Sequence, residues 1–411
     1  MRFPVFFATF LVVGATILAA GCESGPAGHQ PMDPPAGPEA RLPNWCRFHN
    51  GNPCLTWVEP QDSGHAMKLA WLEDGTWTES ITVASGEDWF VNWADFPAAI
   101  ELPSGDLVAH WLERSGPGTY HYDIRFSRSR DRGQSWADPL TPHLDETRSE
   151  HGFVSLYPAD GDRAGLVWLD GRHTAGNDHG DHHGGGGEPM TLRTATVTGD
   201  GNLEAKQELD GKVCDCCQTS VAQTSNGLVA VYRGREADET RDIKFIRKHQ
   251  QDTWSEPETL NDDGWVIPGC PVNGPAVTAL DNRVAATWFT GAEPAPRVQL
   301  AFSDDGGRQF SSPVEIAGDR ALGHVDVVMP DSDRLVTSWM ETGEGGQAEL
   351  FVQEFSLPDL APGPIRHIDT PGDRRSAGFP RLVAAHERVF IAWTRVGDEG
   401  HSIATSELDF R

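Results

Sequence analysis

One short pattern recurs along the chain and restricts its folds more than any other feature: a run of small and aliphatic residues ending on a large aromatic ring. It reads Leu55-Thr56-Trp57, Leu107-Val108-Ala109-His110-Trp111, Leu166-Val167-Trp168, Leu228-Val229-Ala230-Val231-Tyr232, Val284-Ala285-Ala286-Thr287-Trp288, Leu335-Val336-Thr337-Ser338-Trp339 and Val389-Phe390-Ile391-Ala392-Trp393. The rings stand 54, 57, 64, 56, 51 and 54 residues apart, and the longest interval holds a His- and Gly-rich insertion at 173–187. Before nearly every run lies another strand pattern across a polar turn such as Pro103-Ser104-Gly105-Asp106 or Ser225-Asn226-Gly227, which is hairpin grammar. Third strands follow at 123–127 and 298–302, and weaker fourth ones at 140–144 and 313–316. Four strands per repeat, repeated radially, predict an all-β chain folded as a β-propeller with seven blades. The last repeat reaches Arg411 without a clear fourth strand. Closure therefore requires the N-terminal segment to complete it, because an open ring leaves bare edges.

Composition agrees: 44 Gly and 29 Pro are too dense for helical bundles, while 14 Trp and 18 Phe supply apolar bulk. The 61 acids against 33 bases give a net charge of −28, which argues against nucleic acid and anionic membrane surfaces as partners. At the N-terminus, Arg2 and an apolar run to Ala20 have the grammar of an export signal, not of a transmembrane helix. Leu18-Ala19-Ala20-Gly21-Cys22 resembles the bacterial lipobox, with Ala19 where leucine is usual. That resemblance implies a signal peptide over 1–21, lipidation of Cys22, a flexible Gly/Pro/Ala tether over 22–40 and a propeller domain over 41–411. Membrane contact is then through the lipid only. Glu23 stands where an aspartate resembles an inner-membrane retention signal, so an outer-membrane lipoprotein facing the periplasm or the exterior is the expectation. Ordinary secretion is the alternative.

Two turns sharpen the fold. Ser129-Arg130-Asp131-Arg132-Gly133-Gln134-Ser135-Trp136 follows Ser-x-Asp-x-Gly-x-x-Trp, and Ser303, Asp305, Gly307 and Phe310 repeat it with Phe for Trp. Both resemble the Asp boxes of the sialidase (BNR-repeat) superfamily, in which they are structural: the aspartate caps turn amides and glycine takes a positive φ. The resemblance covers residues 41–411 and implies six blades, against the seven counted from the repeat. It also implies an arginine cluster for a substrate carboxylate, a tyrosine nucleophile paired with a glutamate, and a carboxylic acid for the leaving oxygen. Only four tyrosines exist, Tyr120, Tyr122, Tyr157 and Tyr232, and Tyr232 fills the core aromatic slot of its repeat. Trp45-Cys46-Arg47-Phe48 stands where the family carries Phe-Arg-Ile-Pro, a departure from the motif that accompanies sialoside hydrolysis in the family.

In a propeller the innermost strand starts at the functional mouth, and the loop between second and third strands returns there. This places Asp95, His151, Asn273, His324, Asp326 and either Arg375 or Arg381 at the mouth, with Arg114, Asp170, Arg172, Arg233, Arg235, Glu236, Glu341 and Arg395 in the returning loops. Only five of the 33 basic residues are Lys, so the cations carry the planar fork suited to carboxylates. Arg172, Arg233, Arg235, Arg395, His324, Asp326 and Asn273 are the expected ligand contacts. Asp170, Glu236 and Glu341 are the carboxylates available for glycosidase chemistry. Inter-loop ion pairs are the plain alternative for all of them.

Six cysteines remain after Cys22, an even number in an exported chain, and such counts usually mean disulfides. Cys46 and Cys54 bracket the Asn50-Gly51 turn and are expected to bridge. Cys214, Cys216, Cys217 and Cys270 enter consecutive blades on the mouth side, as two bridges, one reaching Cys270, or as a thiolate metal or redox site. Cys-x-Cys-Cys is no standard zinc pattern. His179, His182 and His183 in the nearby insertion could join them to hold Cu or Zn, although glycines flank that tract. Three readings follow: a monomeric sialidase-like propeller binding, and in its active form hydrolysing, an acidic glycan or other carboxylate; a metal or redox propeller; and a non-catalytic scaffold.

Overall fold

The computed structural model describes Met1 and residues 29–175, 188–249, 253–372 and 375–410. Its strands form seven separate antiparallel sheets arranged as the blades of a propeller. Blades 3, 4 and 5 are four-stranded in chain order, built from 151–213, 220–259 and 276–317. Blades 1 and 6 carry a fifth strand, because two short outer strands share the edge of the third. Blade 2 keeps three strands, and its expected fourth at 140–144 is reduced to one bridge between Phe126 and Leu140. Seven blades therefore replace the six that the family resemblance implies.

Each recurring aromatic sits on the second strand of its blade, and all seven are at most 3% exposed. Burying a ring of this size stabilises its blade but also buries a polar tip that needs a partner. Every tip ends on a carboxylate. Trp57, Trp111, Trp168 and Trp339 donate to Glu59, Glu113, Asp170 and Glu341, two residues on. Tyr232, Trp288 and Trp393 donate to Asp210, Asp263 and Asp369, all from the preceding blade or the link that follows it.

The ring closes as expected, with a shift of boundary. Strand His29–Met32 lies within the stretch read as tether and pairs antiparallel with Gly400–Leu408 as the fourth strand of blade 7. Its backbone is pinned by Thr405 Oγ1 donating to Met32 O at 2.7 Å, and His29 Nδ1 meets Ser406 Oγ at 2.8 Å. The signal sequence and Cys22 lie outside the described residues.

The two Asp boxes share one chemistry. Ser129 Oγ accepts the Gly133 amide and donates to Asp131, which accepts the Ser135 amide. Ser303, Asp305 and Gly307 repeat this, with the Arg308 and Gln309 amides on Asp305. Gly133 and Gly307 hold φ of +84° and +75°, a region that costs glycine nothing. Both boxes follow the third strand of their blade, on the face opposite the mouth.

Candidate functional site

At the mouth, much of the polarity belongs to clasps between neighbouring blades. Phe153 and His324 follow Gly152 and Gly323 in matching bulges, each with φ near the left-handed region (53° and 52°), and each amide turns to the preceding blade. The Phe153 amide donates to Asp95 at 2.9 Å, and the His324 amide to Asn273 Oδ1 at 2.9 Å. Asn273 also donates to Leu322 O, and Asp326 accepts the Leu382 amide at 2.8 Å. The His324 ring is buried against Phe379 and contacts Gly378 O at 2.7 Å, and burial lowers its pKa to about 4. Asn273, His324 and Asp326 thus meet neighbouring blades with the groups that a ligand would need.

The four expected arginines are also engaged. Arg233 is buried and donates to three backbone carbonyls, those of Asn273, Arg241 and Phe289, at 2.7–2.9 Å. Arg235 lies between Glu239 at 2.9 Å and Asp215 at 3.2 Å. Arg172 reaches Asp170 at 2.7 Å and Asp145 at 2.9 Å, while exposed Arg395 pairs with Asp369 at 2.6 Å. Among the carboxylates, Asp170 and Glu341 are the indole acceptors of blades 3 and 6, and Glu341 also meets Arg320 at 2.9 Å. Glu236 is exposed and pairs with Lys244 at 2.6 Å.

A different group converges where blade 2 meets blade 3. The third strand of blade 2 starts at Tyr122, bridged in parallel to Glu150 just before blade 3. The Tyr122 hydroxyl donates to Glu150 Oε1 at 2.7 Å and lies 3.2 Å from Asp95 Oδ2. A Cβ on Gly152 would stand 2.0 Å from Asp95 Oδ2 and 3.0 Å from that hydroxyl, so this approach depends on glycine. Burial outweighs the Phe153 and Tyr122 hydrogen bonds and pushes Asp95 up to about 7; burial likewise raises Glu150 to about 8. Both carboxyls therefore hold protons into the neutral range, where an acid catalyst operates. Exposed Arg114, register partner of Tyr122, lies over Phe90 at 5.4 Å. Neither Arg114 nor exposed Arg148 pairs with a carboxylate among the described residues. Sequence reasoning put Asp95 and Arg114 at the mouth but missed Glu150 and Arg148. The available signal was Glu150 directly before the blade-opening His151.

The cysteines agree with expectation at Cys270, which is bridged, and depart from it at Cys46 and Cys54 and in the second bridge. Cys216 and Cys270 form a disulfide with a Cα separation of 6.0 Å, tying the links that enter blades 4 and 5, so neither is open to a metal. Cys46 and Cys54 are buried free thiols rather than a bridge. They oppose one another across the first two strands of blade 1. Cys216 and Cys270 lie on irregular links that can set the spacing a bridge requires. Cys214 and Cys217 remain thiols with sulfurs 3.0 Å apart, and Arg241 Nη1 lies 3.5 Å from Cys214. Burial disfavours the Cys214 thiolate, but the Cys217 contact and the Arg241 charge outweigh it and bring the pKa to about 7. His179, His182 and His183 lie outside the described residues.

No protein-family profile matches the chain, and no curated protein matches it. Solved structures do. A protein of unknown function from Dyadobacter fermentans aligns over 94% of this chain and 98% of its own, at 16% identity and a TM-score of 0.53. The polysaccharide lyase Uly1 aligns over 90% and 89%, at 8% identity and a TM-score of 0.54. The NanB sialidase of Streptococcus pneumoniae aligns over 87% and 83%, at 10% identity and 0.49. At such identities the likeness is one of fold alone.

Proposed function

We propose that the protein binds an acidic carbohydrate where blades 2 and 3 meet at the mouth and hydrolyses a glycosidic bond there by acid catalysis: Glu150 gives its proton to the leaving oxygen, water adds to the anomeric carbon, and the proton that water loses restores Glu150. The observation that carries this reading is the chain of groups Glu150, Tyr122 and Asp95, joined through one phenol hydroxyl. Burial keeps the Glu150 carboxyl protonated against the opposing pull of the Tyr122 hydrogen bond, and such a carboxyl can deliver its proton to a leaving oxygen. Arg114 and Arg148 offer exposed guanidinium forks for a uronate or sialate carboxylate. The fold shared with a polysaccharide lyase supports a sugar as ligand.

The export reading orients this site. If Cys22 carries lipid, only residues 23–28 separate it from the closing strand at His29. A fourth strand starts on the Asp-box face, so the anchor would hold that face to the membrane and turn the mouth outward. The test of ligand class is calorimetric titration of purified protein with uronate-, sialate- and sulfate-bearing oligosaccharides against neutral ones of equal length. Binding of carboxylated sugars that weakens in Arg114→Ala and Arg148→Ala is expected. Equal binding of neutral sugars, or none of any, would overturn the reading. A reducing end released without the ultraviolet absorbance of an unsaturated sugar identifies hydrolysis.

A further inference from the structure

A second cluster lies beside this group and plays no part in the glycan reading. Successive residues on a strand face opposite ways, so Asp123 and His151 turn away from their neighbours Tyr122 and Glu150. The link entering blade 3 adds His143 and Asp145. The His143 and His151 rings stack in parallel, with centroids 3.8 Å apart and planes 3° from one another. Their side chains are 2% and 0% exposed. Asp123 Oδ1 lies 3.7 Å from His143 Nε2 and 3.6 Å from His151 Nδ1, too far for hydrogen bonds. All three atoms are buried without a hydrogen-bond partner. Buried polar atoms are nearly always satisfied, so three converging on one point ask for a ligand.

The far side of the rings carries the complementary feature. Asp145 Oδ2 is 3.1 Å from His151 Nε2 and 3.6 Å from His143 Nδ1. This carboxylate is fixed in turn by the amide and hydroxyl of Thr147 and by Arg172. Histidines that ligate metals characteristically place their second nitrogen on such a carboxylate. The acids divide unequally: Arg172 meets both Asp145 and Asp170, and Arg193, paired with Glu208, also lies 3.9 Å from Asp170. Asp123 meets only the two imidazoles among the described residues.

We propose that Asp123, His143 and His151 bind a first-row divalent transition-metal ion, with Asp145 as the carboxylate that orients both imidazoles. Two nitrogens and one carboxylate oxygen suit Zn²⁺, Mn²⁺, Fe²⁺, Co²⁺ or Ni²⁺. Donors about 2.05 Å from a tetrahedral ion stand roughly 3.3–3.4 Å apart, so binding draws these in by a few tenths of an ångström and splays the ring stack. Further positions of the ion open past Asp123, whose side chain is 27% exposed.

The test uses untagged, metal-stripped protein in which His179, His182 and His183 are replaced by alanine, so that the His/Gly insertion cannot contribute. Zn²⁺ uptake is followed by elemental analysis and thermal melting, and Co²⁺ uptake by its visible spectrum. A single ion per chain, a rise in melting temperature and ligand-field bands are expected. His143→Gln and Asp123→Asn should weaken binding at least about tenfold and abolish the bands, with apo melting unchanged in Asp123→Asn. If His143→Gln fails to fold, Asp123, at the partly exposed edge of the cluster, carries the test. No stoichiometric uptake with excess Zn²⁺, or uptake unaffected by Asp123→Asn, would overturn the proposal.

Discussion

At the residue scale, each buried second-strand aromatic is tied to an acid, and this recasts which acids are available for chemistry. Glu341 accepts the Trp339 indole, so Glu341→Ala leaves a buried donor unpaired and should cost about 1–3 kcal/mol in chemical denaturation. Trp339→Phe removes that donor, so a cycle of the two substitutions should be less than additive. Full additivity would mean that the pair is not coupled. Asp95 makes a second prediction. Its folded pKa near 7 exceeds the usual carboxyl value of 3.8, so the protonated form is favoured by folding. That contribution is complete below about pH 4 and is lost as pH rises through 7, a fall of order 4 kcal/mol. Asp95→Asn keeps an acceptor for the Phe153 amide and should flatten this part of the pH profile, measured by urea denaturation at pH 4.5 and 7.5. An unchanged slope would assign the titration to another group.

Elements were the most legible level, because blade signals are local: aromatic strand ends, hairpin turns and Asp boxes are each read within about ten residues. Partners across blades were not. Arg172, Arg233 and Arg235 look alike in sequence as mouth cations, and only the fold shows that acids and carbonyls from other links occupy them. Two long-range features did leave traces. Trp57-Val58-Glu59, Trp111-Leu112-Glu113, Trp168-Leu169-Asp170 and Trp339-Met340-Glu341 repeat one Trp-x-acid spacing, which marks Asp170 and Glu341 as structural partners. Cys216 and Cys270 are 54 residues apart, about one blade, which puts them at equivalent points of neighbouring repeats. The closing strand is testable at this scale. Deleting residues 29–32 exposes the edge of Gly400–Leu408 and should lower the melting temperature by about 5 °C or more. An unchanged melt would show that closure contributes little.

For the whole molecule, the acid excess that argued against polyanionic partners acquires a structural meaning. Seven carboxylates hold core rings, others neutralise mouth arginines, and the exposed cations beside Tyr122 are few but local. A net charge of −28 is compatible with a small anionic ligand at the mouth, since screening limits the reach of distant charge to about 10 Å. In the proposed function Glu150 is the acid, while Asp170 and Glu341 hold core indoles. The direct measurement is kcat/KM on the best acidic oligosaccharide for wild type, Glu150→Gln and Glu341→Gln. Glu150→Gln should lose about 100-fold or more, the range of a general acid, while Glu341→Gln stays near wild type at a temperature where both are folded. Loss in Glu341→Gln with Glu150→Gln fully active would contradict the account.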